Sequence, residues 1–375
     1  MSMSKRKEAA LLDKNGYCNY SAFMDPGIDM YFVMGHRGDG KTYGALDLAI
    51  DAFRGGEASA YVRREAEMIT GREAGLLFNP FTGDGGKLEQ ATGGKYNNVI
   101  YRSKQFKPVL TDWDSGDTLT TGSTILHTAA LSTWETSKGQ DRGFLRYIIF
   151  DEVITAGRYL PDEPFKWVNT LSSLMRTRTG TQIIMLANPL NQICPYFDWY
   201  GIEIERFNPG TVADLKYDSG ARLRFVWLPP TAEKLRPVNK ILSINAKTDS
   251  VTRGTFDIKT YRHLPSGMYK QSEILYSIGI RFVRQTIRCD VCSAPAAGGL
   301  YLFFYPSDRF DDCLRIYDDA AGIWDSRHTS TFIRDTIGQE MLELFRRGRD
   351  FYSTNSTGNI VENWIKNFIK KVTIV

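Results

Sequence analysis

The sequence contains no apolar run of the roughly 18 to 20 residues that a membrane-spanning helix requires. No apolar segment follows the basic residues Lys5, Arg6 and Lys7, so the pattern of a secretory signal is absent. The close pair Cys289 and Cys292 lacks the second pair of ligands that a structural zinc site needs. These absences exclude the membrane-spanning and disulfide-rich classes and favour a reducing, intracellular setting.

Neither sign of charge dominates the chain, whose formal net charge is +4 over 375 residues. Residues 201–375 hold 25 Lys and Arg against 20 Asp and Glu, whereas residues 1–200 hold 22 against 23. A dedicated nucleic-acid reader carries a strongly basic face. The mildly basic second half is therefore compatible with a polyanion contact but does not by itself indicate one.

Apolar runs and helical patterns alternate in the first half of the chain. Five runs are typical of buried strands, namely residues 30–34, 58–64, 123–131, 147–150 and 182–186. Residues 41–50 have helical spacing, and so do Trp167, Leu171 and Leu174 before Gly180. Short buried strands joined by helices predict right-handed crossovers and a mainly parallel sheet. We expect an α/β domain over residues 1–207.

The character of the sequence changes after residue 207. Asn208-Pro209-Gly210, Pro229-Pro230 and Pro237 interrupt a polar stretch, which predicts a linking segment over residues 208–270. Two long β-type runs follow at residues 274–288 and 300–305, and residues 360–372 have an amphipathic helical pattern. We expect a smaller α+β domain over residues 271–375.

A glycine-rich loop between the first strand and the first helix fits the pattern G-x-x-x-x-G-K-T. Its residues are Gly35, His36, Arg37, Gly38, Asp39, Gly40, Lys41 and Thr42. In this pattern backbone amides surround phosphates, the lysine neutralises the β/γ charge and the hydroxyl binds Mg²⁺. A plain glycine-rich turn would leave the strand before it and the helix after it unexplained. The loop predicts a site for ATP and Mg²⁺.

Polar side chains end two of the other predicted strands. Asp151 and Glu152 follow the apolar run 147–150, and we assign Asp151 to the metal and Glu152 to the base that activates water. Asn188 follows the run 182–186, where an amide can sense the γ-phosphate or orient water. The alternative for Asn188 is a turn-forming residue. An acid pair following a P-loop favours hydrolysis over binding alone.

Arg176 and Arg178 lie at the end of the predicted helix before residue 182. Either guanidinium could complete a neighbouring subunit's site as an arginine finger, and the alternative is a solvated helix end favoured by the helix dipole. The sequence contains no N-K-x-D element, no D-E-A-D run and no L-S-G-G-Q motif. The GTPase, helicase and ABC branches of P-loop proteins are therefore disfavoured.

Several segments together resemble one family in order and spacing. They are residues 31–43, 61–64, 148–152, 186–189 and 195–197. They resemble the genome-packaging (encapsidation) ATPases of phi29-type phages. The resemblance extends over about residues 30–207 and implies an ASCE P-loop motor related to FtsK and HerA.

The resemblance also implies partners and a location. Such motors form homo-oligomeric rings, by resemblance pentamers, on the portal of a prohead and drive double-stranded DNA inward, contacting its phosphate backbone without reading sequence. They work in the host cytoplasm, transiently at the portal vertex, and a structural RNA is a further candidate partner. Neither a membrane partner nor a place in the mature virion is expected.

Family positions can be matched to single residues of this sequence. The resemblance assigns Lys41 and Thr42 to phosphate and Mg²⁺, Asp151 and Glu152 to metal and catalysis, and Asn188 to the sensor. It makes Arg176 the arginine finger, with Arg178 as second choice. Lys138, in the segment before the metal strand, is a further trans-acting candidate, with a plain surface lysine as the alternative.

The family's last domain resembles an RNase H-type nuclease that has lost its activity. Residues 274–288 contain no acid that could hold a catalytic metal, so we expect no nuclease activity. The same run carries Arg281, Arg284 and Arg288, which could track DNA phosphates. The alternative is a charged, soluble strand edge.

Two other functions stay open at this point. One is another FtsK/HerA-like translocase, which would usually carry a membrane segment or a tethering domain. The other is a nucleotide-gated, DNA-binding structural adaptor with little turnover, against which Glu152 argues.

Overall fold

The computed structural model describes residues 4–5, 11–69, 74–137, 141–155, 159–231, 256, 261–282, 285–294, 299–318, 328–329 and 335–368. The chain divides into two compact units. The first comprises Met1–Gln192 and Glu203–Asp257, and the second comprises Ile193–Ile202 and Ile258–Val375. No helix among these described ranges is long and apolar enough to cross a membrane.

The first unit contains these strands and helices: β1 (Ser4–Lys5), β2 (Met30–Met34), α1 (Lys41–Arg54), β3 (Ala58–Arg63), α2 (Lys87–Ala91), β4 (Asn98–Arg102), β5 (Gln105–Thr111), β6 (Thr118–Thr121), β7 (Leu126–Ala130), β8 (Leu145–Phe150), α3 (Glu163–Met175) and β9 (Gln182–Ala187). After α4 (Pro195–Tyr200), which groups with the second unit, come β10 (Val212–Lys216) and β11 (Arg222–Trp227). Short 3₁₀ helices lie at Tyr20–Ala22, Ala66–Ile69, Leu76–Phe81, Leu131–Thr133, Glu135–Ser137, Ile204–Arg206 and Tyr269–Gln271.

The strands of the first unit form one sheet in the order β1-β10-β11-β2-β9-β8-β3-β7-β5-β4, with β6 paired to β5. The six strands from β11 to β7 are parallel, and antiparallel strands extend the sheet on both sides. Strand β9 lies between β2 and β8, so the strand before the glycine-rich loop and the strand before Asp151 are not neighbours. The predicted mainly parallel α/β sheet is confirmed.

The central strands are apolar on both faces because helices cover the sheet. Every residue of β9 is buried, as are Tyr31, Phe32 and Val33 of β2. In α1 the buried residues Ala45, Leu46, Ala49 and Ile50 form one face at helical spacing. This packing fixes the carboxyl edge of the sheet, where β2, β8 and β9 all end.

The second unit contains β12 (Glu273–Phe282), β13 (Gln285–Ala294), β14 (Gly299–Pro306), β15 (Arg315–Asp318), β16 (His328–Thr329), α5 (Thr336–Arg346), β17 (Asp350–Tyr352) and α6 (Asn355–Phe368). Its sheet has the order β16-β15-β12-β13-β14-β17. Strands β12 to β14 are an antiparallel meander, and β15 and β16 continue parallel to β12. This is the strand arrangement of an RNase H-like fold. Met341 of α5 and Val361 and Trp364 of α6 are buried in its core.

The predicted boundary at residue 207 was wrong. Residues 212–227 are not a linking segment, because β10 and β11 form a hairpin whose second strand pairs with β2 in the large sheet. The prolines near residues 209 and 229 flank this hairpin instead of marking a domain boundary. Pro237 and the rest of residues 232–255 lie outside the described residues.

The run 274–288 is not one strand. It is divided between β12 and β13, which pair with Phe282 opposite Gln285. Both halves are rich in β-branched and apolar residues, and no glycine or proline marks the turn. The last predicted helix, at residues 360–372, begins earlier, at Asn355, and is described to Phe368.

The histidine of β7 predicts a pH dependence of stability. Burial lowers the pKa of His127 to about 4, and the charges of Arg142 and Lys107 act in the same direction. An unfolded histidine binds its proton near pH 6.5. As pH falls from about 6.5 to 4, the unfolded state binds more protons than the folded state, so stability is lost over this interval.

The variant His127→Gln is expected to lose less thermal stability than the wild type when pH falls from about 7 to about 4.5. Melting temperatures followed by circular dichroism at the two pH values measure the difference. An equal loss in both proteins would contradict the prediction.

Candidate nucleotide-binding site

The glycine-rich loop lies directly after β2 at the carboxyl edge of the large sheet. The Gly35 amide donates to the carbonyl of Ala187 at the end of β9, over 3.2 Å. Gly38 and Gly40 have φ of 88° and 74°, a left-handed conformation that favours glycine. Helix α1 then begins at Lys41, and no side chain caps it. The backbone amides of its first turn therefore face the glycine-rich loop that precedes it. This is the arrangement that binds phosphate at a helix N-terminus.

The buried ammonium of Lys41 connects the loop to the neighbouring strand. Its Nζ donates to the carbonyls of Gly35 and His36, at 2.9 and 2.7 Å, and to Oδ1 of Asn188 at 2.9 Å. Asn188 comes directly after β9. The two predicted residues, 147 positions apart in sequence, therefore touch.

A hydroxyl and a carboxylate meet beside this lysine. Thr42 donates from Oγ1 to Oδ2 of Asp151 at 2.9 Å, and Tyr61 of β3 donates to the same oxygen at 2.8 Å. Burial and the charge of Asp151 hold the pKa of Tyr61 well above its usual range, so it stays a neutral donor. Hydroxyl and carboxylate oxygens are the ligands that Mg²⁺ prefers. The pair Thr42 and Asp151 therefore fits the predicted metal position.

Glu152 has an unusual backbone. Its φ is 58°, a left-handed conformation that costs a non-glycine residue about 1–3 kcal/mol and persists only when its surroundings hold it. Its amide donates to Oδ1 of Asp151 at 2.9 Å. The side chain is 52% exposed. Strained backbone of this kind clusters at functional sites, so the left-handed conformation of Glu152 beside Asp151 marks it as a candidate functional residue.

The side chain of Glu152 is held by an arginine that sequence reasoning missed. Arg63, the last residue of β3, donates from Nη2 to Oε2 of Glu152 at 2.6 Å, and its Nη1 lies 3.8 Å from Asp151. Arg63 could have been found from its place, since a basic residue ending a parallel strand lies at the ligand edge of the sheet.

Arg176 and Arg178 lie far from this site in their own chain. Helix α3 begins near the carboxyl edge and runs back for 13 residues, about 20 Å, so its end lies by the start of β9. There Arg178 pairs with Asp141 at 2.9 Å. The structure therefore does not bring either arginine to the P-loop of the same chain. Lys138 lies outside the described residues.

The three arginines predicted to contact DNA have different surroundings. Arg288 is 13% exposed and engages Asp290 at 3.0 Å and Asp312 at 2.5 Å. Arg281 is 48% exposed, with Asp318 at 3.6 Å. Arg284 lies outside the described residues. Of the two described, Arg281 has the more accessible side chain.

The two close cysteines of β13 are enclosed in the second unit. Cys289 and Cys292 are buried, and burial raises the pKa of both thiols, that of Cys292 to about 11. Among the residues that the structure describes, no group of three His, Cys, Asp or Glu side chains could hold a metal ion. The five cysteines are free thiols.

The fold and the site define a class. A P-loop strand and an Asp151-Glu152 strand with one strand inserted between them, in the core order β11-β2-β9-β8-β3, are the architecture of an ASCE P-loop NTPase. A sequence profile of the family described as Podovirus DNA encapsidation protein (Gp16) matches residues 120–209. The resemblance predicted from the sequence is thereby confirmed.

Relatives and solved structures agree with this class. A DNA packaging protein of Bacillus phage B103 is 28% identical over 175 residues, which are 46% of this chain and 47% of that protein. The chain thus spans about half the length of the curated relatives it matches. The bacteriophage Phi-29 viral genome packaging motor assembly contains a chain with 17% identity and a TM-score of 0.58, covering 94% of this chain and 99% of that one. The Phi-28 gp11 DNA packaging motor gives 16% identity, a TM-score of 0.53, and coverage of 92% and 96%. These structures share the fold of this chain.

Proposed function

We propose that this chain is an ATP-driven genome-packaging motor that forms a ring on the portal of a phage prohead and moves double-stranded DNA inward. The observation that carries the proposal is the contact of Lys41 with Asn188 and of Thr42 with Asp151, which assembles the elements of an ATP site from three strands. The packaging proteins and motor structures with a similar sequence or fold support the choice of substrate and partner.

The residues of the site divide the chemistry between them. Lys41 and the loop amides would bind the β- and γ-phosphates, and Thr42 and Asp151 would hold Mg²⁺. The metal, when bound, neutralises phosphate charge and polarises the γ-phosphoryl group. Glu152 takes a proton from the attacking water after its carboxylate leaves Arg63. Asn188 reports the state of the γ-phosphate to β9.

The distance of Arg176 from its own P-loop favours action on a neighbouring subunit. A guanidinium that stabilises transition-state charge contributes about 10³–10⁵ in rate. Placed across an interface, it makes turnover depend on ring assembly. Lys138 and Arg178 are the second candidates for this role.

ATP hydrolysis measured against protein concentration, with and without double-stranded DNA, tests the proposal. We expect turnover per subunit to rise as rings assemble and to rise further with DNA. Turnover that is absent under all conditions, including added portal, would favour the nucleotide-gated adaptor, whose ATP serves only as a conformational ligand.

Arg176→Ala is expected to bind ATP normally and to lose about 10³-fold or more in turnover when assembled. Mixing it with Lys41→Ala subunits should restore part of the activity, because some interfaces then combine an intact P-loop with an intact Arg176. Arg178→Ala, which removes the second candidate, is measured under the same conditions. No recovery in any mixture would show that Arg176 does not act in trans.

A further inference from the structure

Arg64, the residue after β3, is buried with 4% of its surface exposed. Its Nε donates to Oε2 of Glu163 at 2.8 Å. Its Nη1 donates to the carbonyl of Glu152 at 3.1 Å, and its Nη2 to the carbonyl of Val153 at 2.8 Å. One rigid fork of donors thus joins the loop after β8 to the first residue of α3.

The partner of Arg64 is equally enclosed. Glu163 is 1% exposed and also accepts the amide of Leu160 at 2.7 Å. The Arg64 guanidinium lies over the ring of Tyr159, 5.1 Å from its centre, and the Arg64 carbonyl accepts the amide of Ser132. Buried charges of this kind need every partner in place. The position is therefore held from several elements at once.

Arg63 and Arg64 act on different parts of the same residue. Consecutive side chains of an extended segment point to opposite faces. Arg63 engages the carboxylate of Glu152, whereas Arg64 engages its backbone carbonyl. The strained left-handed backbone of Glu152 is thus fixed by Arg64 at the carbonyl and by Asp151 at the amide.

We propose that Arg64, with Glu163, is a positioning residue for Glu152, holding the backbone that aims its carboxylate and joining that loop to the start of the helix that precedes Arg176. The inference rests on the proposed function, because it assumes that Glu152 acts in ATP hydrolysis. The role depends on the planar fork of the guanidinium, whose three separate nitrogens each contact a different acceptor. The three protons of an ammonium share one nitrogen, so a lysine would have to draw all three acceptors toward a single point.

Arg64→Lys is the first test. We expect kcat for ATP to fall on the order of tenfold to a hundredfold, because small misplacements of a catalytic group have effects of this size. The dissociation constant of a non-hydrolysable ATP analogue should stay within about twofold, since Lys41 and Thr42 are untouched. Amide exchange in residues 151–153 should rise.

A double variant separates positioning from stability. Arg64→Met with Glu163→Met removes both buried charges together, a replacement that is often neutral or stabilising. We expect it to stay folded at the assay temperature, yet to lose kcat on the scale of Arg64→Lys. If the double variant keeps the wild-type kcat, the positioning role is wrong.

Arg224→Lys is the matched control. Arg224 is another buried arginine of the same sheet, bidentate to Asp214 at 2.6 and 2.7 Å and bonded to the carbonyl of Phe23. The Arg224→Lys variant should have a lower melting temperature than the wild type and the same kcat per folded molecule. An equal kcat loss in Arg224→Lys, or unchanged exchange at residues 151–153 in Arg64→Lys, would overturn the inference. Absence of Lys41-dependent turnover in the wild type would instead overturn the proposed function and the catalytic part of this inference with it.

Discussion

Replacing Lys41 by alanine is expected to abolish ATP turnover, with a loss of at least about a hundredfold. The ammonium that would face the β- and γ-phosphates disappears, and so does the contact that joins the loop to Asn188. Because both binding and transition-state stabilisation are removed, KM should rise and kcat should fall. Phosphate release over a range of ATP concentrations measures both constants.

Lys87→Ala is the control for this variant. Lys87 begins α2 and forms an ion pair with Asp47 of α1, so it is a lysine engaged by the helix that carries the site. Its removal should change surface charge alone and leave turnover near the wild-type value. Wild-type ATP hydrolysis by purified Lys41→Ala would show that the assignment of the nucleotide site is wrong.

Glu152→Gln should bind ATP and fail to hydrolyse it. The amide has the size of the carboxylate but cannot accept a proton, and general bases contribute about 10²–10⁴ in rate. The P-loop contacts of Lys41 and Thr42 do not involve this side chain, so affinity should be nearly unchanged. Equilibrium binding of labelled ATP, followed by analysis of the bound nucleotide, should recover ATP where the wild type yields ADP.

Glu203→Gln is a suitable comparison, since Glu203 is about half exposed and paired with Arg206, much as Glu152 is paired with Arg63. It should hydrolyse ATP as the wild type does. A Glu152→Gln protein that releases phosphate at the wild-type rate would show that another group activates the water.

The proximity of the candidate site residues was largely predictable from the sequence, because the glycine-rich loop is a contiguous segment. Residues 35–42 are contiguous. The left-handed backbone conformation that this loop needs occurs at Gly38 and Gly40, where glycine permits it. Asp151, Glu152 and Asn188 were predictable because each ends a strand of a parallel sheet, and such ends share one edge. Once the strand order is known, the contacts of Asn188 with Lys41 and of Asp151 with Thr42 follow from it.

Errors arose where pairing with distant strands decides the structure. The segment 212–227 alternates weakly and is flanked by prolines, yet pairing with β2 makes it part of the sheet. The division of residues 274–288 into β12 and β13 has no turn residue to mark it, since the hairpin is specified by cross-strand packing. In the sequence, Arg63 and Arg64 look like an ordinary pair of basic residues. Their roles become visible only when their partners, Glu152 and Glu163, are known.

The sequence by itself determined the phosphate loop, the parallel α/β class and the acids at the strand ends, because these depend on short-range backbone geometry and hydrophobic period. Only the tertiary structure decided which arginine touches Glu152, that Arg64 holds its backbone, and that Arg176 lies at the opposite edge of the sheet. Such contacts depend on strand order and on which face each side chain takes, and neither is encoded within a window of neighbouring residues.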